Sequence, residues 1–173
     1  MTHSRDLNLP WVRNFKSIQA KRLLSKESSK VIRYALTLGC KFHAQVHVLH
    51  VMPTVDRAVL NMVALSMGAD KLAKFNAKNE AELAIKAREQ LDGIIQTEHE
   101  LMDEKSVLPP KIEVHHGDAA PTILAVADRL DVDMIVLGSH SKGELHYAFL
   151  GSVAEKILRK THRAIVIVPP VDS

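Results

Sequence analysis

The feature that most constrains this chain is a short apolar segment that ends at a glycine and leads, through a polar loop, to a helix start. Residues 134–137 are apolar and partly β-branched, and Gly138 ends the segment, which is typical of a buried parallel strand. Gly151 and Ser152 follow the loop, and the pattern predicts Ser152 as the N-cap of a helix with Glu155 as its capping-box partner. A strand, a glycine turn, a loop and a helix in this order indicate an α/β protein.

This strand–loop–helix unit is also a candidate anion site. The N–H groups of Ser152, Val153 and Ala154 are free at a helix start, the helix dipole favours negative charge there, and glycine lets a phosphate approach the backbone. Junctions of this kind are common, however, and ordinary turns that bind nothing are the more frequent case. The residues alone therefore leave phosphate binding as a hypothesis and a plain turn as its alternative.

Length and composition predict one domain with an aliphatic core. The chain has 173 residues, of which 46% are hydrophobic and only 4% aromatic, and a chain of this length can bury a sizeable core. The longest apolar run, residues 164–168, is far too short to span a bilayer, and residues 1–13 lack the apolar block of a signal peptide. The single cysteine, Cys40, excludes an internal disulfide and is predicted to be a buried, inert thiol. We therefore expect a cytoplasmic protein.

Positive charge is concentrated near the amino terminus. Residues 1–33 carry eight Lys and Arg against two acidic residues, whereas the whole chain has a net charge of +3. Such a segment can bind nucleic acid or an anionic membrane, but it contains no nucleic-acid-binding motif, and a solvated basic face is the simpler interpretation. We predict residues 1–13 as a basic N-terminal extension and residues 14–173 as the domain, with no membrane partner and with nucleic acid disfavoured.

Apolar segments with the period of strands alternate with segments that have the period of helices. Strands are predicted over residues 44–51, 111–115, 134–137 and 164–168, and helices over residues 25–41, 71 to about 104 and from Pro121, with Asp118 as the cap. The stripe of the long helix that faces the sheet is predicted to consist of Leu83, Ala87, Leu91 and Ile94 or Ile95. This order predicts a single-domain, doubly wound α/β sandwich with a mainly parallel five-stranded sheet and helices on both faces.

The fifth strand falls on residues 17–23, whose composition is unusual for a central strand. A central parallel strand is buried on both faces and is almost entirely apolar, whereas this segment contains Gln19, Lys21 and Arg22. A helix over residues 10–25 fits the local spacing of apolar side chains better. The residues by themselves therefore leave both a strand and a helix open.

The segment from Gly138 to Ser152 resembles the nucleotide-binding motif of the universal stress protein family. That motif is a glycine, two residues, a second glycine, nine residues, a third glycine and a Ser or Thr, and here its positions are Gly138, Ser141, Gly151 and Ser152. The spacing is kept, but serine replaces the second glycine. Segments elsewhere also resemble strands and helices of the family, so that the likeness covers about nine-tenths of the chain; they are residues 15–50, 117–137 and 164–169.

The resemblance implies an adenine-nucleotide pocket and the fold of the adenine-nucleotide hydrolases. It also implies that residues 17–23 form the first strand and that Leu23 stands where nucleotide-binding members carry an aspartate. Leucine accepts no hydrogen bond from the adenosine, so weak or altered ATP binding is expected. The implied cofactor is ATP or another adenine nucleotide, with or without Mg²⁺, and the absence of any cofactor is the alternative. The implied cofactor-binding residues are Val51, Gly138, His140, Ser141, Gly151, Ser152 and Val153.

A homodimer is implied as well, formed when the last strand pairs with its copy. Ile165 to Val168 is a flat apolar edge without a charged residue, and such edges are normally covered. The implied function is that of a cytosolic stress-response regulator whose pocket is degenerate in its adenosine half. The alternative is a dimeric interaction or signalling protein of the same fold that binds no nucleotide.

The ten histidines of the chain predict neither a metal site nor a catalytic centre. His47 and His50 are an odd number of positions apart on one strand and point to opposite faces, as do His115 and His116. His140 flanks the polar loop, but a lone histidine without an orienting partner is not a catalyst. The sequence contains no nucleophile–base constellation, Walker motif or Gly-x-Ser-x-Gly motif. We expect no metal and no catalytic residue, and at most slow nucleotide hydrolysis.

Overall fold

The computed structural model describes residues 26–54, 60, 62, 64–66, 68–102, 108–139 and 150–169. Helices and strands alternate along these residues, as the sequence predicts. In chain order they are α1 (Lys26–Phe42), β1 (His47–Met52), α2 (Ala69–Glu100), β2 (Lys111–His116), α3 (Ala119–Leu130), β3 (Met134–Gly138), α4 (Ser152–Leu158) and β4 (Ala164–Val168). Between β1 and α2, residues 60, 62 and 64–66 are also helical.

The described strands form two parallel pairs, β1 with β2 and β3 with β4. In the first pair Val48 lies opposite Ile112, and in the second Val136 lies opposite Val166. Helix α3 joins β2 to β3 through short loops, which return the chain to the same end of the sheet, so the two pairs run in the same direction. The predicted layered α/β architecture with parallel strands is therefore confirmed.

The fifth strand of the prediction cannot be compared with these pairs. Both the strand over residues 17–23 and its helical alternative over residues 10–25 lie outside the described residues. The strand stays a prediction that rests on the family resemblance.

Helices α1 and α2 cover one face of the sheet. Ile32 and Leu36 of α1 belong to the same core cluster as Val48 of β1 and Val136 of β3, and all four side chains are at most 1% exposed. Both strand pairs thus pack on the same helices.

The sheet-facing stripe predicted for α2 is confirmed in its second half and wrong at Leu83. Ala87, Leu91 and Ile95 are 1%, 3% and 6% exposed, whereas Leu83 is 55% exposed. With 32 residues, α2 is about 48 Å long, while a strand of six residues such as β2 spans about 20 Å. The helix therefore extends past the strands, and Leu83 lies in the half that they do not cover.

Helices α3 and α4 cover the opposite face. Leu49 of β1 and Ile135 of β3 pack there with Ile123 of α3 and Ile157 of α4, and these side chains are at most 1% exposed. Adjacent residues of each strand thus supply the two cores, because consecutive strand side chains point to opposite faces.

Asp118 is the N-cap of α3, as predicted, although the helix begins at Ala119 rather than at Pro121. The Asp118 side chain makes no capping hydrogen bond, and its carbonyl accepts the N–H of Thr122 at 3.1 Å. Pro121 is compatible with the third helical position because the N–H that it lacks has no partner inside the helix there.

Cys40 lies in α1 and is 8% exposed, so the prediction of a buried thiol is confirmed. Across the described ranges, no helix combines the length and the apolar composition that a membrane crossing requires.

Candidate functional site

The candidate site lies at the edge of the sheet where the parallel strands end. Ligands of open α/β sheets bind outside the carboxyl ends of the strands. At this edge β1 ends at Met52, directly after Val51, and β3 ends at Gly138. The start of α4 follows in the same region, so residues that are far apart in sequence meet there.

Helix α4 begins one residue away from the predicted position. Gly151 is its N-cap, with φ −61° and ψ 146°, and no side chain caps the helix. The predicted capping box is therefore wrong, because Ser152 is the first helical residue and the Glu155 carboxylate pairs with Arg159 at 2.5 Å instead. The N–H of the N-cap already has a backbone acceptor, so the helix start does not need the glutamate.

That acceptor is the carbonyl of Ser139, which takes the N–H of Gly151 at 2.7 Å. The N–H of Ser139 in turn donates to the carbonyl of Val168 at 2.9 Å. Ser139, which is 8% exposed, thus ties the end of β3 to the end of β4 and to the start of α4. Sequence reasoning missed this residue, and the only signal for it is its position directly after Gly138.

The backbone donors predicted for the anion site lie at the start of α4. The N–H of Glu155 donates to the carbonyl of Gly151 at 3.0 Å. The N–H groups of Ser152, Val153 and Ala154 therefore precede the first hydrogen bond within the helix, as those of a first turn do. Together with the positive end of the helix dipole they favour an anion at this point.

Val51 lies at the same edge of the sheet, in the core cluster that the strands form with α3 and α4. Val51 is 3% exposed and shares that cluster with Ala154, and Val153 packs against it. Five of the implied cofactor-binding residues therefore lie at one edge, namely Val51, Gly138, Gly151, Ser152 and Val153. His140 and Ser141, like Leu23, lie outside the described residues.

Gly117 is a further residue of this edge that sequence reasoning did not single out. It follows β2 with φ 138°, a conformation that favours glycine. Its N–H donates to the carbonyl of Met52 at 2.9 Å, and a Cβ at this position would lie 3.2 Å from Thr122 Oγ1. Gly117 therefore allows the loop before α3 to close tightly on the end of β1.

A cluster of titratable side chains lies below this edge, between the first strand pair and α3. One carboxylate oxygen of Glu113 is 3.0 Å from His115 Nε2, and the other is 3.6 Å from His47 Nδ1. Arg129 of α3 donates to the same carboxylate. Burial raises the pKa of Glu113, but hydrogen bonds from His115 and Arg129, together with their charges, bring this pKa below its ordinary value of 4.5.

The sequence did not reveal this cluster because its members come from three elements. Glu113 and His115 share a face of β2 because strand side chains alternate, and the register, which sets Leu49 opposite Glu113, puts His47 on the same face. Within the described segments, no three His, Cys, Asp or Glu residues are arranged to hold a metal ion. In this cluster Arg129 forms an ion pair with Glu113, and His115 and His47 lie beside the same carboxylate.

Comparison with known proteins gives a consistent result. A model of the universal stress protein family matches residues 23–169. A universal stress protein of Methanocaldococcus jannaschii, MJ0577, is 29% identical over 125 residues, which cover 72% of this chain and 76% of that protein. A second one from the same organism, MJ0531, is 26% identical over 162 residues, with coverage of 91% and 86%.

Solved structures share the fold at low sequence identity. The structure of MJ0577 has a TM-score of 0.67 at 20% identity and covers 92% of this chain and 99% of its own. A universal stress protein from Archaeoglobus fulgidus in complex with dAMP has a TM-score of 0.51 at 18% identity, with coverage of 88% and 96%. A universal stress protein in complex with cAMP has a TM-score of 0.54 at 12% identity, with coverage of 92% and 99%.

Proposed function

Since the chain belongs to the universal stress protein family, we propose that it is a stress-response regulator that holds an adenine nucleotide at the carboxyl edge of its sheet. The observation that carries this proposal is the 2.7 Å hydrogen bond from Gly151 to Ser139, because it keeps the start of α4 beside Gly138. Proteins of similar fold that are complexed with dAMP and cAMP support the choice of an adenine nucleotide.

In this proposal the phosphates bind at the start of α4. The N–H groups of Ser152 and Val153 donate to phosphate oxygens, and Gly138 and Gly151 leave room for the phosphates to approach the backbone. Ser152 is exposed, so its hydroxyl is a further donor at the same place. His140 and Ser141 complete this half of the site from the loop between β3 and α4, and Mg²⁺ accompanies a triphosphate.

The adenosine half differs from that of nucleotide-binding relatives. The backbone of Val51, at the end of β1, faces the base, and Leu23 replaces the aspartate that the family resemblance implies. Because leucine offers no acceptor to the adenosine, we propose that ATP binds weakly or in an altered way.

A second function of a different class is favoured by the edge of β4. Ile165, Val166 and Ile167 are only partly buried, and among the described strands β4 pairs with β3 alone. The edge of β2 is different, because its Ile112 carbonyl accepts Arg88 Nη1 at 3.1 Å. An apolar edge without such protection favours pairing with a second copy. The second candidate is therefore a dimeric interaction protein, cytoplasmic like the first, that binds no nucleotide.

The test is the identification of a ligand in the purified protein. Mass spectrometry under native conditions detects a co-purified nucleotide, and calorimetric titration with ATP, ADP, AMP and cAMP measures affinity. Gly151→Asp is the matched variant, because a carboxylate at the N-cap repels phosphate from the donors of α4 and is itself a good N-cap. Binding by the unaltered protein that Gly151→Asp abolishes supports the regulator. No binding of any of the four nucleotides, in a protein that sediments as a dimer, supports the second candidate.

A further inference from the structure

The burial of the strands shows which of them lie at the outside of the sheet. Every residue of β1 except Met52 is buried, and so are the three central residues of β3. In β2 no residue is fully buried, and in β4 only Val168 is. Strands inside a parallel sheet are buried on both faces. Among the described strands, β1 and β3 are therefore the inner ones, and β2 and β4 are the outer ones.

The outer edge of β2 follows from its hydrogen bonds to the segment of β1. The N–H of Lys111 donates to the carbonyl of Val46 at 2.9 Å, so the odd-numbered residues of β2 direct their backbone groups toward β1. Successive residues of a strand direct their N–H and C=O groups to opposite sides. The outer edge therefore presents the backbone groups of Ile112, Val114 and His116.

The outer edge of β4 is determined in the same way. The N–H of Ser139 donates to the carbonyl of Val168 at 2.9 Å, so the even-numbered residues of β4 direct their backbone groups toward β3. Ile165 and Ile167 therefore direct their N–H and C=O groups outward. β4 contains no charged residue, and charged residues are what commonly keeps an edge strand from pairing.

These two outer edges are complementary to each other, because β2 and β4 run in the same direction. In a parallel pair, one residue bonds to two residues of the neighbouring strand that are two positions apart. Ile165 of one copy would lie between Ile112 and Val114 of the next copy, and its N–H would donate to the Ile112 carbonyl. This head-to-tail pairing leaves a free edge at each end, so it does not close and produces filaments.

Arg88 of α2 occupies the acceptor that this pairing requires. Its Nη1 donates to the carbonyl of Ile112 at 3.1 Å, which confirms that this carbonyl points away from β1. A strand added at this edge would have to displace the guanidinium or take its charge out of water, and both cost free energy. A charged side chain from a covering helix is one of the ways in which proteins keep an edge strand from pairing.

We propose that Arg88 closes the edge of β2 to the β4 edge of a second copy, and that it thereby limits this protein to closed dimers. Without Arg88 the protein presents two complementary edges and assembles into filaments. The inference rests on the free β4 edge of the second candidate function, and it does not depend on nucleotide binding.

Sedimentation velocity of Arg88→Ala at increasing protein concentration tests this proposal. The unaltered protein should stay at the dimer, whereas Arg88→Ala should give a broad range of larger species that electron microscopy shows as filaments. Lys86→Ala is the matched control, because it removes one positive charge from an exposed position of the same helix. Alanine favours helices, so both variants should keep the circular dichroism of the unaltered protein.

The double variant Arg88→Ala with Ile165→Lys identifies the occupant of the β2 edge. It should be a monomer, because the charge blocks the β4 edge. Larger species in the double variant would mean that β2 pairs with itself or that unfolded protein aggregates, and either overturns the proposal.

Two further results also overturn it, namely an Arg88→Ala no larger than the unaltered protein and equal growth of Lys86→Ala. A monomeric unaltered protein would remove the β4 dimer of the second candidate function. The size of Arg88→Ala would still decide whether Arg88 closes the edge of β2, so the two failures can be distinguished.

Discussion

Arg33 Nε on α1 lies 2.5 Å from a carboxylate oxygen of Glu98 on α2, and the two side chains differ sharply in exposure. Glu98 is 4% exposed, whereas Arg33 is 54% exposed. The hydrogen bond and the charge of Glu98 raise the pKa of Arg33, so the guanidinium stays charged at every relevant pH. The partly exposed guanidinium of Arg33 therefore covers the buried carboxylate of Glu98 and neutralises its charge.

Arg33→Ala should destabilise the protein by about 1–3 kcal/mol, because it leaves a buried acid without its partner. The free energy of unfolding is measured by urea denaturation at neutral pH. Adding Glu98→Leu to this variant should recover part of the loss, since the unpaired charge disappears. A double variant as unstable as the single one would contradict this account.

The matched control is Arg159→Ala on α4. Arg159 also pairs with a glutamate, Glu155, but their side chains are 75% and 49% exposed. Exposed pairs of this spacing contribute about 0.3–0.5 kcal/mol, so this variant should unfold almost like the unaltered protein.

Substitution by alanine should change the stability of the protein in opposite directions at two helical glycines. A Cβ at Gly39 would lie 2.4 Å from Val46 Cγ2, whereas one at Gly93 meets nothing within 4 Å. Gly39→Ala should cost about 1–3 kcal/mol through overpacking, and Gly93→Ala should add about 0.5–1 kcal/mol of helix stability. Thermal unfolding should show a lower Tm for Gly39→Ala and a higher Tm for Gly93→Ala. A change of Tm in the same direction in both variants would contradict the packing at Gly39 of α1.

Because of Glu113, we expect the free energy of unfolding to fall at acidic pH. Its pKa in the folded protein lies below the ordinary value of 4.5, so the unfolded chain binds the proton first as the pH falls. The contribution of Glu113 is therefore complete above its unfolded pKa and is lost as the pH falls through its folded pKa. Urea unfolding between about pH 6 and about pH 3 should show a steeper decline for the unaltered protein than for Glu113→Gln. Parallel curves would show that His115 and Arg129 do not hold this carboxylate.

The elements of the fold could be predicted because apolar residues mark them locally. β3 and β4 lie where short continuous apolar runs predicted them, and the buried residues of α2 follow the predicted stripe from Ala87 onward. The exposure of Leu83 could not be predicted, because the spacing of apolar residues does not show how far a helix extends past its sheet. Residues that form tertiary contacts, such as Glu113 and Arg129, carry no local pattern either.

The candidate site could be predicted as far as local motif spacing reaches. Gly138, Gly151 and Ser152 were found from the strand, the loop and the helix start. The N-cap was misassigned by one residue: the N-cap is Gly151, and the backbone carbonyl of Ser139 accepts its N–H, which the glutamate of a capping box accepts elsewhere. A long-range backbone hydrogen bond leaves no trace in side-chain identities.

The edge of β4 should decide the oligomeric state. Sedimentation at micromolar concentration should show a dimer, and Ile165→Lys should convert it to a monomer because a charge on an edge strand blocks pairing. Ile112→Lys is the matched control, since Ile112 is also partly buried and lies on β2, which among the described strands pairs with β1 alone. Both variants should lose similar folding stability, and only the first should lose the dimer. A monomeric unaltered protein would remove the basis of the interface.

Leu23 and Ser141 should account for the affinity for ATP. In the proposed site the backbone donors of Ser152, Val153 and Ala154 would bind phosphate in any nucleotide, so we expect their contribution to be unchanged by the adenosine half. Leu23→Asp adds one directed hydrogen bond, worth about 0.5–1.5 kcal/mol, and should tighten ATP binding about two- to tenfold. Ser141→Gly should tighten it through the phosphates if the serine side chain crowds them, while Leu23→Ala, which adds no acceptor, should leave the affinity unchanged. Calorimetric titration of the four proteins measures these differences. Tight ATP binding by the unaltered protein, or no gain from either Leu23→Asp or Ser141→Gly, would mean that the weak half of the site lies elsewhere.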